Sequence, residues 1–223
     1  MRFLAQVVSW VFLPMLMPIY GLLIAMYIPS ESESALQAQA NLYVMPEPFK
    51  WHILLLFFLL SVMAPGFSLL MLKRQNRIET LELDNREERA FPITVTIIYC
   101  AMLGIFLYIQ IPHNAIPTII FALPWAGMLA ASVAGIITKF EKISLHAMGA
   151  GMLFGFLVMY FQTQALFEFN TLIVAALIGG LVMSSRMYLG KHTLRQSICG
   201  YLLGVFSMVI VLGLFPNLAI FPM

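Results

Sequence analysis

The chain has 223 residues, of which 61% are hydrophobic and only 10% charged, with 18 Phe and 16 Met. Soluble domains carry about a quarter of their residues as charges, so a water-soluble globule is excluded. Twelve Lys and Arg against ten Asp and Glu leave a net charge of +2, and no basic tract of the kind that grips nucleic acid occurs.

A hydrocarbon core about 30 Å thick requires roughly 20 apolar residues per helix. Seven stretches predict such spans, at about 4–28, 51–72, 93–111, 114–138, 145–167, 168–184 and 195–216. The first follows Met1 and Arg2. It is too long for the apolar region of a secretion signal and lacks a small-residue cleavage site, so it reads as a retained helix. Residues 29–50, PSESESALQAQANLYVMPEPFK, make a polar, acidic loop with proline at both ends. Residues 73–92, KRQNRIETLELDNREERAFP, are densely charged with both signs and predict a short surface helix. The sixth span is short and starts at the polar pair Glu168 and Asn170. Cys100 and Cys199 both fall in apolar runs and read as small core residues rather than a disulfide. The expectation is one all-α integral membrane domain over 1–223, a polytopic bundle of six to seven transmembrane helices.

Seven spans put the N-terminus and the loops 73–92, 139–144 and 185–194 on one side of the membrane. Eleven of the twelve Lys and Arg then share that side, with only Lys50 opposite. His146 and His192 join the basic side, while His52 and His113 fall on the other. Basic residues beside spans commonly set topology and hold anionic head groups. Counted this way, the basic face is cytoplasmic.

The spacing within two segments adds a second reading. In KISLH, 142–146, Ser144 precedes an apolar run and suits an N-cap. His146 then sits in the first helical turn, where unpaired N–H groups and the helix dipole favour an anion. In SSRMYLGKHTLRQ, 184–196, Arg186 closes one span, Gly190 permits a tight turn and His192 opens the next. Gln196 lies four residues on, along the same helical face as His192. Two histidines at helix starts with cations beside them suit phosphoryl transfer. One attacks, the other protonates the leaving oxygen, and the cations stabilise the equatorial oxygens.

Ser185-Arg186, five residues and His192 resemble the third signature of the type 2 phosphatidic acid phosphatase superfamily, the integral-membrane lipid phosphate phosphatases. HTLRQSICGYLLG is similar to its polyprenyl-diphosphate phosphatase branch, and KISLH resembles the second signature, normally Pro-Ser-Gly-His. The resemblance covers about 86–204. It implies His192 as the nucleophile of a phosphohistidine intermediate and His146 as general acid. Arg186 and Ser144 would be phosphoryl-oxygen ligands, supported by Lys142, Arg89 and Arg86, and Gln196 would orient His192. Leu145 and Ile143 depart from the second signature. The first is absent as written, REERAFP being the nearest match. Gln196 stands where most members have Asp.

The implied substrate is a phospholipid or polyprenyl phosphate in a cell membrane, with a bacterial inner membrane as the expected setting. No cofactor and no metal are implied; two histidines on one face fall short of the three or four ligands a metal needs. The superfamily's bacterial members usually act outside, against the charge count. A non-catalytic lipid-binding or structural subunit stays open beside the enzyme, favoured by the eroded first signature. Ion-coupled transport is disfavoured, since the span interiors carry essentially no ionisable residue.

Overall fold

The computed structural model describes residues 1–31, 33, 40–78, 87–112 and 115–214, and every regular element among them is a helix. The first expected span is divided. α1 (Arg2–Val11) ends before a 3₁₀ turn at Pro14–Leu16, and α2 (Met17–Tyr27) follows. α1 and the helical stretch from Pro14 to Tyr27 meet at 41°. Proline cannot donate a backbone hydrogen bond and pushes the residue before it out of the helical region. Leu13 is accordingly extended, at φ −61° and ψ 141°.

The second span is longer than the sequence suggests. α3 (Glu47–Phe57), a π-helical segment (Phe58–Met63) and α4 (Ala64–Arg74) form 28 continuous residues. Pro48 falls in the first turn of α3, where a missing N–H costs nothing, so the helix starts ahead of the expected Trp51. The π segment ends just before Pro65, whose ring would collide with the carbonyl four residues back in a regular helix. A widened turn absorbs that collision. A 3₁₀ turn at Glu87–Arg89 leads into α5 (Ala90–Gln110) and α6 (Thr118–Thr138). α7 (Leu145–Phe161), α8 (Phe169–Tyr188) and α9 (Leu194–Leu214) complete the described chain. Five helical segments are long and apolar enough to cross a membrane, and the bent α1–α2 pair makes six. The chain is thus a polytopic helical bundle.

α7, with 17 residues, is shorter than the five spanning segments and sits at the centre against α9, α8 and α2. Its packing on α9 depends on glycines spaced by four on both helices. Gly151 and Gly155 on α7 pack on the backbone of Tyr201 and Val205 in α9, and Gly200 and Gly204 on α9 pack on that of Ser144 and Met148. A Cβ at Gly151 would fall on the Tyr201 carbonyl oxygen, and one at Gly204 on the Met148 carbonyl oxygen. At Gly200 it would lie 2.5 Å from the Ser144 oxygen. In a bilayer no hydrophobic force draws helices together, so close backbone approach of this kind supplies much of the attraction.

Hydrogen bonds identify the two ends of the bundle. At one, Arg89 Nη1 donates to the Ile143 carbonyl at 2.8 Å, Ser144 N to the Gln196 carbonyl at 3.3 Å, and Arg195 pairs with Glu141 at 2.9 Å. At the other, the Tyr160 hydroxyl donates to the Ala25 carbonyl and accepts from Leu42 N, both at 3.1 Å, while Ala165 N donates to the Glu31 carbonyl. Lys50 lies at this second end. It is 4% exposed, 4.8 Å and 5.4 Å from the Tyr27 and Tyr43 ring centres, and paired with Glu47 at 3.1 Å.

Candidate active site

Three local structures deliver side chains to the first end. Ser144 caps α7: its φ of −84° and ψ of 104° lie outside the helix, and its hydroxyl accepts from Ala147 N at 3.3 Å. Such a cap contributes about 1 kcal/mol, and it fixes where His146, the second helical residue, begins its turn. Arg186 occupies the last turn of α8. Past it, Gly190 adopts φ 69°, its N–H donates to the Met187 carbonyl at 2.9 Å, and Lys191 N donates to the Arg186 carbonyl at 3.0 Å. That pair of bonds is a Schellman motif, which needs a left-handed residue at the Gly190 position.

α9 then opens with a capping box. Gln196 N donates to the Thr193 hydroxyl at 3.3 Å, and Thr193 N donates to Gln196 Oε1 at 3.2 Å. The Thr-x-x-Gln pattern produces this reciprocal pair. His192 stands immediately before the box, with Nδ1 3.3 Å from the same Gln196 Oε1. A backbone N–H can only donate, so the oxygen of the Gln196 amide must face Thr193. It must therefore accept from His192, and Nδ1 carries the proton. The lone pair is left on Nε2.

Arg89, His146, Arg186 and His192 line one cavity of about 220 Å³. Arg89, Arg186 and His192 are 3%, 2% and 8% exposed. Away from these four the walls are mainly apolar, with Pro14, Met17, Leu60, Pro65, Cys100 and Met152 among them and the hydroxyls of Ser61, Thr96 and Tyr99 as the polar exceptions. Burial, and then the charges of Arg89 and Lys142, push the His192 imidazole down to about 3; the Gln196 hydrogen bond opposes this and Arg186 adds to it. The ring is therefore neutral at pH 7, the state in which Nε2 is nucleophilic.

The other expected site residues stand further back. Ser144 is wholly buried and its hydroxyl serves the cap of α7. Lys142 lies outside the cavity lining and acts on His192 through its charge. Gln196 supports His192 from behind. Arg86 falls outside the described residues. Among the described residues no group of three or more His, Cys, Asp or Glu converges as a metal site would require.

One partner of the site escaped the sequence reading. His146 Nε2 lies 3.2 Å from the backbone carbonyl of Ser9 on α1. Its only sequence signal is Pro14, which ends α1 near that carbonyl.

The cavity thus joins two histidines and two buried arginines at its polar end to a mainly apolar interior within a helical membrane bundle. The family model described as PAP2 superfamily matches residues 134–219. That range takes in Ser144, His146, Arg186, His192 and Gln196, leaves out Arg89, and supports the superfamily and a phosphatase-type activity. No curated protein matches the chain, and no solved structure does.

Proposed function

We propose that the protein hydrolyses the phosphate or diphosphate group of a membrane lipid through a phosphohistidine on His192. The observation that carries this reading is the single cavity that joins Arg89, His146, Arg186 and His192 to apolar walls. A phosphate dianion among these groups would meet two buried guanidiniums, which bind such oxygens through paired N–H bonds. The lipid chain would occupy the apolar part.

In the first half-reaction the His192 Nε2 lone pair attacks phosphorus, the bond to the leaving oxygen breaks, and His146 supplies that oxygen with a proton. In the second, water attacks the phosphohistidine, giving its proton to His146, and the phosphorus–nitrogen electron pair returns to His192. Arg89 and Arg186 hold the transferring oxygens throughout, the kind of electrostatic stabilisation that is usually the largest single contribution. The Gln196 oxygen keeps Nδ1 protonated so that Nε2 stays the attacking atom. The substrate is a phosphatidic acid, a phosphatidylglycerol phosphate or a polyprenyl diphosphate, in a cell membrane with the basic end facing the cytoplasm.

The test is phosphate release by purified protein from these three lipids. Release should persist in chelator, fall with vanadate as a mimic of the pentacoordinate state, and vanish in His192→Ala. Wild-type rates in His192→Ala would overturn the proposal.

A further inference from the structure

The break between α1 and α2 has a chemical outcome at His146. In an unbroken helix the Ser9 carbonyl would accept from the N–H of residue 13. Phe12 N still reaches the Val8 carbonyl at 2.9 Å, but Leu13, forced into an extended conformation before Pro14, turns its N–H out of the helix. The Ser9 carbonyl is released as an end-of-helix acceptor, in a residue only 5% exposed. His146 Nε2 lies 3.2 Å from it. The docking is tight: a Cβ at Gly149, three residues along α7 from His146, would lie 2.9 Å from Pro14 Cα and 3.1 Å from Met17 Cγ. The Tyr20 hydroxyl donates to the Val11 carbonyl at 2.8 Å and holds the end of α1 in place.

From this geometry we infer that the Ser9 carbonyl is a positioning group that keeps the proton of neutral His146 on Nε2, leaving Nδ1 as the nitrogen that exchanges protons with the occupant of the cavity. A carbonyl only accepts, so the ring nitrogen facing it must be the protonated one. His146 lines the cavity, whereas Ser9 does not. The role in turnover rests on the phosphatase reading; the choice of nitrogen does not. In that turnover a phosphate group entering with one acidic proton hands it to Nδ1, and the ring passes it to the leaving oxygen as the phosphorus–oxygen bond breaks. The attacking water later gives a proton to Nδ1, and the departing phosphate carries it away, which restores the neutral ring. The Nε2–H stays on Ser9 in both steps, so the ring never has to turn.

Two substitutions release His146 from opposite sides. Pro14→Ala restores an N–H and lets α1 continue, so that residue 13 reclaims the Ser9 carbonyl. Gly149→Ala pushes the Pro14 turn off α7 while leaving the α1 sequence intact. ¹⁵N NMR of histidine-labelled protein in nanodiscs at pH 7.5, assigned with His146→Asn, reads the tautomer directly. Wild type should show His146 protonated on Nε2 alone, and each variant a mixture of both tautomers. In phosphate release kcat should fall about tenfold with KM nearly unchanged, a part of the roughly 10²–10⁴-fold that acid–base catalysis supplies. A wild-type ring protonated on Nδ1, or one tautomer common to all three proteins, would overturn the inference, as would a changed tautomer with unchanged kcat. A wild type that shows the Nε2–H form but releases no phosphate would instead defeat the phosphatase reading, and the turnover role with it.

Discussion

Gln196 uses one oxygen twice, accepting from Thr193 N to start α9 and from His192 Nδ1, which leaves the ring's lone pair on Nε2. Because the capping bond fixes the amide orientation, helix initiation and the tautomer of His192 are coupled in a single side chain. Losing a neutral hydrogen bond costs about 0.5–1.5 kcal/mol, and about 1.4 kcal/mol is a factor of ten in rate. Gln196→Leu should therefore slow single-turnover dephosphorylation by roughly tenfold. Gln196→Asp retains an acceptor at the third helical position and adds a charge that favours the imidazolium. Its trapped phosphohistidine should match or exceed that of wild type.

His192 also links the site to stability. Its usual value of 6.5 falls to about 3 in the folded protein, first through burial. The folded state thus stays neutral where the unfolded chain takes up a proton. Its contribution to stability is complete above about 6.5 and is lost as pH drops toward 3. The apparent Tm should decline between pH 6.5 and 4.5 in wild type, and by less in His192→Asn, which has nothing to titrate. The opposite order in a thermal scan would show that this ring is charged in the folded state.

At the scale of elements, the glycine pairs on α7 and α9 set the distance between the helices that carry the two histidines. Gly204→Leu would drive a branched side chain into the Met148 carbonyl, a backbone atom that cannot turn aside. Overpacking of this kind costs about 1–3 kcal/mol or more. A lower melting temperature in detergent and loss of phosphate release together are the expected result. Gly180→Leu, where a Cβ meets nothing within 4 Å, should change neither.

The element scale also separates what the sequence discloses from what it conceals. Apolar runs mark the membrane-length helices, but the run expected to span at 145–167 holds a helix of only 17 residues, and the first span is bent. Ser144 and Gly190 punctuate the helix ends near the histidines, so the places of His146 and Arg186 were legible; His192 was expected to open α9, which starts instead at Leu194 behind the Thr193 cap. Pro14 and Pro65 were legible as residues but not in effect, because hydropathy averaged over a span does not register one missing N–H. The bend before α2 and the π turn before Pro65 followed from the proline rings as well as the missing donors. The Ser9 carbonyl could not be foreseen, since a backbone acceptor has no residue-type signature. Arg89 lies 54 residues from the Ile143 carbonyl it meets, a separation no local pattern encodes.

For the whole molecule, the hydrogen-bonded ends define opposite faces. In a Cys100→Ala, Cys199→Ala background, Arg195→Cys and Tyr43→Cys should be labelled by an impermeant maleimide from opposite sides of the membrane. Labelling of both from one side would separate the two ends from the two faces of the bilayer.

The short central helix has a consequence for where the chemistry takes place. Seventeen residues rise about 25 Å at 1.5 Å each, some 5 Å less than a hydrocarbon core of about 30 Å. Set against such a core with its Tyr160 end at the far face, α7 would stop short of the near one, which would put His146 below the level of the lipid phosphates. On the phosphatase reading a head group would have to descend to be cleaved, with water following it down, and a thinner bilayer would shorten that descent. Phosphate release should therefore quicken as the acyl chains of the surrounding bilayer are shortened, making membrane thickness itself a control on the rate.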